Sequence, residues 1–256
     1  MGLFLAGCAA SADGDDLDDE KTATTVAALD VGTAASEVED LDSLDPAKAA
    51  SHAASSTKHD CKTKTLDPAN PLVVHVTLDG CQGRFGRHAV SGHLTVTFSA
   101  NPDGSLHTES ESRDLTIDGR PFSRKASTDI TLSNGVKTMK RRSEKTGTKP
   151  NGDDIVQRGE ETIIVDGASR CRTINGTRHA VVGGDRDVDT KILDLQTCER
   201  EDGTDLCPTG RVESIVSGAK SKTAIKTFDG TPTVRIDITK PKRDTSKTWT
   251  LDCEAR

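Results

Sequence analysis

Two short motifs carry residue types that could support acyl transfer at a serine. Ser217 stands three residues before Lys220, a spacing at which a lysine can activate a serine nucleophile, and Lys145-Thr146-Gly147 could complete such a site. However, the Lys-Thr-Gly precedes the Ser-x-x-Lys, no Ser-Asp-Asn element is present, and Ser217 does not begin a helical pattern. Other nucleophile, zinc and phosphate-binding motifs do not occur. The sequence therefore predicts no enzyme and no cofactor.

Three alternating carboxylates raise the question of a cation site. In a strand, Asp185, Asp187 and Asp189 would lie on one face, about 7 Å apart. The EF-hand pattern is not met, because Thr190 stands at the glycine position and Gln196 at the final glutamate position. A solvated strand face is the favoured interpretation, and no metal site is predicted.

The cysteines fit oxidation better than metal binding. Of the seven cysteines, Cys8 lies apart, and an even set of six remains: Cys61, Cys81, Cys171, Cys198, Cys207 and Cys253. No Cys-x-x-Cys occurs and the Cys–His spacings match no zinc motif, so disulfides are favoured over zinc. Disulfides are typical of exported proteins.

Leu5-Ala6-Gly7-Cys8 ends an apolar stretch and resembles the lipobox of bacterial lipoproteins. The resemblance implies that residues 1–8 hold a truncated signal peptide, and that the Cys8 thiol carries the lipid that anchors the chain to a membrane. Because only seven residues precede Cys8 and none is basic, it also implies a start upstream of Met1. A chance match in an apolar N-terminus is the alternative. Ala9, where an Asp would retain such a protein at the inner membrane, implies an outer-membrane lipoprotein facing the periplasm or the cell surface.

Residues 9–60 have the composition of a tether. They contain thirteen acidic residues against three lysines, with many Ala, Ser and Thr and no aromatic residue. Such a segment buries too little apolar surface to offset its ordering entropy, so we expect disorder, extended by self-repulsion. A short helix is expected in the Ala-rich stretch 46–56, opened by Pro46, either against the folded domain or within the linker.

Residues 61–256 show a period of two, typical of β-strands. Apolar side chains occupy every second position in 72–78, 94–98 and 234–238, so we expect one dry face and an outer face carrying the charged residues. Turn-forming pairs separate the runs, including Asp118-Gly119, Asn134-Gly135, Asp166-Gly167, Asn175-Gly176 and Asp229-Gly230. The prediction is one all-β domain, an antiparallel up-and-down meander of ten to twelve strands forming a strongly curved sheet or incomplete barrel. A two-sheet sandwich is the alternative.

The predicted interior is thin, because the chain has five Phe, one Trp and no Tyr. Disulfides are the usual support for such a domain. Six cysteines allow fifteen pairings, and proximity in the meander favours three of them: Cys61–Cys81, Cys198–Cys207 and Cys171–Cys253.

One predicted hairpin is strongly basic, through Lys137, Lys140, Arg141, Arg142, Lys145 and Lys149. It could dock on an anionic envelope component. No aromatic residue is interleaved for base stacking, so no nucleic acid is expected. A solvated basic hairpin is the alternative.

Taken together, lipobox, polar linker and cysteine-paired sheet resemble exported β-rich envelope lipoproteins of unknown activity. This resemblance implies a non-enzymatic structural or interaction module in the cell envelope. The alternative is a periplasmic lipid or lipoprotein carrier, since such carriers hold acyl chains on the apolar concave face of an incomplete barrel. The oligomeric state is left open.

Overall fold

A computed structural model describes residues 43–56, 61–82, 89–148, 152–200, 206–218, 221–251 and 253. Cys8 and residues 9–42 of the predicted tether lie outside the described residues, as does Lys149.

The described chain contains one helix and thirteen strands. The helix is α1 (Pro46–Ser55). The strands are β1 (Lys62–Leu66), β2 (Val73–Gln82), β3 (Ala89–Ala100), β4 (Leu106–Ile117), β5 (Arg120–Ser133), β6 (Val136–Thr148), β7 (Asp154–Asp166), β8 (Cys171–Val182), β9 (Arg186–Cys198), β10 (Thr209–Ser217), β11 (Lys222–Asp229), β12 (Thr233–Lys240) and β13 (Arg243–Thr250). Within these ranges no helix has the length and apolar character needed to cross a membrane.

All thirteen strands form a single antiparallel sheet, in which each strand pairs with its neighbours in the sequence. The sheet is open rather than closed into a barrel, which confirms the predicted meander and excludes the two-sheet sandwich. The strand count exceeds the predicted ten to twelve by at least one. The polar edge strand β1 has Leu66 as its one apolar residue, so its sequence carries almost no alternation to detect.

Alternation along each strand divides the sheet into two faces. We call the face with the buried side chains the inner face, and the opposite, largely exposed face the outer face. Cross-strand pairing aligns inner-face residues into rows that run across the strands. The central row joins β4 to β8 and is wholly apolar, and its members are Leu106, Ile130, Met139, Ile163 and Ile174.

Two predicted turns form as expected. Asp118-Gly119 joins β4 to β5, and Asn134-Gly135 joins β5 to β6, with all four residues at positive φ between 50° and 78°. These are the conformations that match the twist of paired strands. Asn175-Gly176, in contrast, was wrongly predicted as a turn, because it lies inside β8 at an irregularity in the pairing with β9.

The helix forms where the Ala-rich stretch predicts it. The Asp45 side chain caps it by accepting a hydrogen bond from the Lys48 amide at 2.9 Å, and Pro46 occupies its first turn. Its buried residues Ala49, Ala50 and Ala53 join the core beside β1, β2 and β3. Of the two expectations for this helix, packing against the folded domain is therefore confirmed, and the folded part begins before residue 61.

Three disulfides tie the sheet, and one of the predicted pairings is confirmed. Cys61–Cys81 joins the start of β1 to the end of β2. The predicted Cys198–Cys207 and Cys171–Cys253 are wrong. Cys171 and Cys198 are direct register partners on β8 and β9, with 4.0 Å between their Cα atoms. Cys207, before β10, then pairs with Cys253, after β13. The cysteine pairing thus follows the register of the strands rather than nearness in the sequence. These disulfides are compatible with an extracytoplasmic location.

Candidate functional site

The unusual feature of this sheet is a set of buried cations on its inner face. Eight basic residues are less than a tenth exposed, whereas Glu161 is the one acidic residue buried to that degree among the described residues. We call these eight the basic inner face: Arg124, Lys137, Arg141, Lys145, Arg172, Arg178, Lys222 and Lys226. Among the described residues, the basic side chains of this face therefore far outnumber the acidic ones, which makes it a strong electrostatic feature.

The register explains how these residues reach the inner face together. On β6, Lys137, Arg141 and Lys145 alternate in phase with the core residue Met139, so all four share one face. Lys145 pairs with Arg124 on β5, which places two cations side by side. Cations therefore flank the central apolar row on both sides, with Lys137 before it and Arg141 and Lys145 after it.

Glu161 lies between two arginines. Its Oε1 accepts a hydrogen bond from Arg178 Nε at 2.7 Å, and its Oε2 lies 3.9 Å from Arg141 Nη1. All three side chains are at most 3% exposed. This triad keeps a net charge of +1, and its carboxylate is committed to two guanidinium groups. The arrangement is suited to holding charge in place rather than to transferring a proton.

Two glycines make room for the triad. Gly176 is the register partner of Glu161, and a Cβ there would lie 2.9 Å from Glu161 Cγ and 2.5 Å from the Glu160 carbonyl oxygen. Gly159 pairs with Arg178, and a Cβ there would lie 3.0 Å from Arg178 Cγ. All three distances are shorter than ordinary van der Waals contact. The long side chains of Glu161 and Arg178 therefore lie beside glycines, which have no side chain of their own to occupy that space.

A cation–π contact extends the basic inner face toward the last strands. Lys226 Nζ lies 5.3 Å from the centre of the Trp249 ring. Such a contact stabilises an ammonium group at a partly dry surface. Lys226 is in the same row as Arg141 and Glu161, five strands from Arg141 and four from Glu161.

The predicted basic patch on one hairpin is wrong as a single surface. Lys137, Arg141 and Lys145 lie on the inner face, whereas Lys140 and Arg142 lie exposed on the outer face. The physical reason is the strand period of two, which sends neighbouring side chains to opposite faces. The prediction treated the segment as an exposed hairpin, and it missed the basic residues of β5, β8 and β11. The signal that reveals such residues in a sequence is a Lys or Arg at the same alternating positions as the apolar residues of its strand.

The outer face is organised by ion pairs between strands. Lys125 Nζ lies 3.0 Å from Glu111 Oε1, and this contact raises the pKa of Lys125. Arg158 lies 3.4 Å from a Glu144 oxygen on the neighbouring strand. A groove of about 890 Å³ along this face is lined by both signs of charge. Exposed pairs contribute little stability, and a face with balanced charge has no marked preference for an anion.

The other candidate residues do not converge. Ser217 ends β10 and Lys145 lies on β6, with three strands between them, and Lys220 lies outside the described residues. Asp189 lies 2.9 Å and Asp187 3.6 Å from the His179 ring, at the exposed surface. No group of three or more His, Cys, Asp or Glu residues that could hold a metal ion occurs in the described part of the chain.

Comparisons with protein-family models, with curated proteins and with solved structures found no match to this chain.

Proposed function

We propose that this chain is a non-enzymatic interaction module, anchored in the cell envelope by lipid, and that its inner face receives an acidic polypeptide segment. The observation that carries this proposal is the make-up of the inner face, on which the described residues place eight buried cations and one buried carboxylate, that of Glu161. An anionic partner complements such a surface.

The mixed lining of the inner face suits an acidic polypeptide, because carboxylates can bind the cations and any aliphatic side chains can lie on the apolar row. Along β6 the lining alternates between charge and apolar surface, in the order Lys137, Met139 and Arg141. An extended peptide that interleaves Asp or Glu with small and aliphatic residues matches this alternation. Its carboxylates would accept charge-assisted hydrogen bonds, while its aliphatic side chains would lie on the central apolar row.

A carrier of acyl chains is less well supported by the same lining. Its binding face would have to be apolar over the length of the chain it holds. Here the central apolar row has Lys137 and Arg172 on one side, and Arg141 and Arg178 on the other. A fatty acid chain on the row would therefore have charged groups along both of its sides, which is an unfavourable environment for a hydrocarbon.

The envelope location and the lipid anchor belong to the same proposal. The lipobox-like Leu5-Ala6-Gly7-Cys8 supports a diacylglyceryl group on the Cys8 thiol, and Ala9 supports sorting to the outer membrane. The three disulfides agree with export. Intact-mass and peptide mass spectrometry of the native protein tests the anchor. An N-terminal peptide beginning at an acylated Cys8 is expected, and an unmodified Cys8 thiol within a longer peptide would contradict it.

The binding proposal is tested with labelled poly-L-glutamate. Because acidic residues of the chain itself would compete, the test uses the full chain with the eleven acidic residues of 9–42 replaced by Asn or Gln, which we call the neutralised chain. The replaced residues are Asp13, Asp15, Asp16, Asp18, Asp19, Glu20, Asp30, Glu37, Glu39, Asp40 and Asp42. Saturable binding is expected.

A matched pair of variants on one strand identifies the surface. Lys145→Gln removes an inner-face cation from β6, and Lys140→Gln removes an outer-face cation from the same strand. In the neutralised chain, Lys145→Gln is expected to weaken poly-L-glutamate binding roughly tenfold, since a charge-assisted hydrogen bond contributes about 1.5 kcal/mol. Lys140→Gln is expected to leave it unchanged. Equal losses in the two variants, or no binding at all, would reject the proposal.

A further inference from the structure

We infer that the acidic segment, residues 9–42 of this chain, docks on the basic inner face of its own sheet. The inference rests on the proposed function, because it makes the chain's own N-terminal segment the first acidic polypeptide that the inner face receives. An external partner must then displace it. Charge, composition and the point at which the segment joins the fold each support this occupant.

The charges of segment and surface are complementary. The acidic segment has eleven Asp and Glu residues and one basic residue, Lys21. Its acids form two clusters, in 13–20 and 37–42, separated by a stretch that is mostly uncharged. On β6 the cations of the basic inner face lie on both sides of the central apolar row, with Lys137 on one side and Arg141 and Lys145 on the other. The segment and the surface therefore both carry charge on either side of a mostly uncharged stretch.

The uncharged residues of the segment also suit the surface. Leu17, Val26, Leu29, Val31 and Leu41 are interleaved with Ala, Thr and Gly, and no aromatic residue is present. Small and aliphatic side chains can lie against the central apolar row beside long basic side chains. Burial of each Leu or Val there would stabilise the docked segment and offset part of the cost of ordering it.

The described part of the chain begins on the inner side of the sheet, where the acidic segment would have to dock. Leu44 is partly buried and packs against the core cluster, and α1 buries its alanines in the same cluster. The residues before Ser43 therefore continue from a point beside the inner face, at β1 to β3. The 34 residues of the segment span up to about 110 Å when extended, whereas eight strand spacings, from β3 to β11, measure about 38 Å. The segment is long enough to reach every member of the basic inner face.

The outer face offers no comparable attraction. Its cations lie beside carboxylates of neighbouring strands, as in Arg142–Glu160 at 3.1 Å and Lys125–Glu111 at 3.0 Å. Carboxylates there would also repel the acidic segment. Docking within one chain has the further advantage of a high effective concentration, in the millimolar range for a short flexible connection. A contact with modest affinity between separate molecules can therefore be formed in nearly all molecules when both partners belong to one chain.

Carbodiimide cross-linking of the full wild-type chain tests the inference, because it joins carboxylates to lysine amines that lie in contact. Peptide mass spectrometry is expected to find links from the acidic segment to Lys145 and Lys222, and at least tenfold fewer to Lys140. The yield of these links is expected to fall in 0.5 M NaCl, because salt screens the charges of the acidic segment while it is not docked. Absence of links to the inner lysines, or equal yields at Lys140 and Lys145, would overturn the inference.

Poly-L-glutamate separates this inference from the proposed function. The wild-type chain is expected to bind it at least tenfold more weakly than the neutralised chain, because the acidic segment competes. Equal affinities would overturn the inference and leave the proposed function in place. Links to the inner lysines without any binding of poly-L-glutamate would confirm intramolecular docking and reject the external acidic partner.

The two acidic clusters can be tested separately by the same cross-linking. One variant neutralises the acids of 13–20 and the other those of 37–42. Because 37–42 lies next to α1 in the sequence, it is expected to account for the links nearest to that helix, and 13–20 for the links to the β11 lysines, Lys222 and Lys226. Unchanged links to Lys222 after neutralisation of 13–20 would contradict this assignment.

Discussion

The carboxylate of Glu161 on β7 accepts a hydrogen bond from Arg178 on the neighbouring strand, with 2.7 Å between Oε1 and Nε, and both side chains are almost fully buried. Arg141 lies on the other side of the same carboxylate. The pairing is significant because the surroundings are basic. Glu161 provides the one buried negative charge that the described inner face supplies from its own strands.

Replacement of Glu161 by Gln is expected to destabilise the fold by about 3–5 kcal/mol, because it leaves Arg141 and Arg178 as buried charges without their carboxylate. The free energy of unfolding in urea measures the effect. Glu160→Gln is the matched control, since Glu160 is the preceding residue, points to the outer face and forms an exposed pair with Arg142. It is expected to cost less than about 1 kcal/mol. Similar losses in the two variants would contradict the role assigned to the triad.

The space opposite the triad gives a second prediction. Gly176→Ala would place a Cβ 2.5 Å from the Glu160 carbonyl oxygen, so the backbone must move, and a loss of about 1–3 kcal/mol is expected. Gly167→Ala is the control, because the nearest atom to a Cβ there is 3.8 Å away. Thermal and urea unfolding of both variants check the prediction. Equal stabilities would show that the sheet accommodates the added methyl group without strain.

The strand meander could be predicted because each strand alternates and each turn has its own chemistry. In 72–78, apolar residues at every second position determine both the strand and its buried face. Asn134-Gly135 adopts the two positive φ angles that a two-residue turn requires. Both signals are local, and an up-and-down sheet needs little else, since every strand pairs with its neighbour in the sequence.

The basic inner face could not be predicted in the same way, because charge was assumed to lie outward. Lys145 and Arg178 follow the same alternation as the core residues of their strands, yet they differ from them chemically. Only the register reveals that Arg124 lies beside Lys145 and that Glu161 lies between two arginines. Such pairings depend on the relative positions of strands, which bulges shift by a residue. No spacing within one strand encodes them.

Asn175-Gly176 shows why a local signal can mislead. The pair has turn chemistry, but Asn175 Nδ2 donates a hydrogen bond to Asp194 Oδ1 at 3.0 Å, and Asp194 itself has a positive φ of 48°. The two residues stabilise an irregular pairing between β8 and β9 instead of a reversal of the chain. Because Gly176 has no side chain, its backbone can lie close to Glu161.

The revised disulfide pairing predicts unequal losses. In the chain-entropy estimate, the 27-residue separation of Cys171–Cys198 corresponds to about 3.6 kcal/mol and the 46-residue separation of Cys207–Cys253 to about 4.0 kcal/mol. Removal of either pair as a double Cys→Ala variant is expected to lower the free energy of unfolding by amounts of this order. Peptide mapping without reduction checks the pairing. A linked peptide containing Cys198 and Cys207 would contradict the structure.

The stability of the fold is expected to fall in acid through carboxylates that are hydrogen-bonded in the folded state. The Asp129 carboxylate accepts from the His107 ring at 2.7 Å and from Asn101 Nδ2 at 2.9 Å, and these contacts lower the pKa of Asp129. A group whose pKa is lower in the folded state than in the unfolded state stabilises the fold above its unfolded pKa, near 4. This stabilisation is lost as the pH falls through the folded pKa.

Asp129→Asn is therefore expected to flatten the dependence of stability on pH below about 4. The change in the free energy of unfolding is expected to be less than about 1 kcal/mol, because the Asp129 side chain is half exposed. Urea unfolding between pH 2.5 and 7 measures this. His107→Gln should flatten the same region, and the double variant should add little to either single change, since both remove one interaction. Additive effects of the two changes would show that Asp129 and His107 act independently.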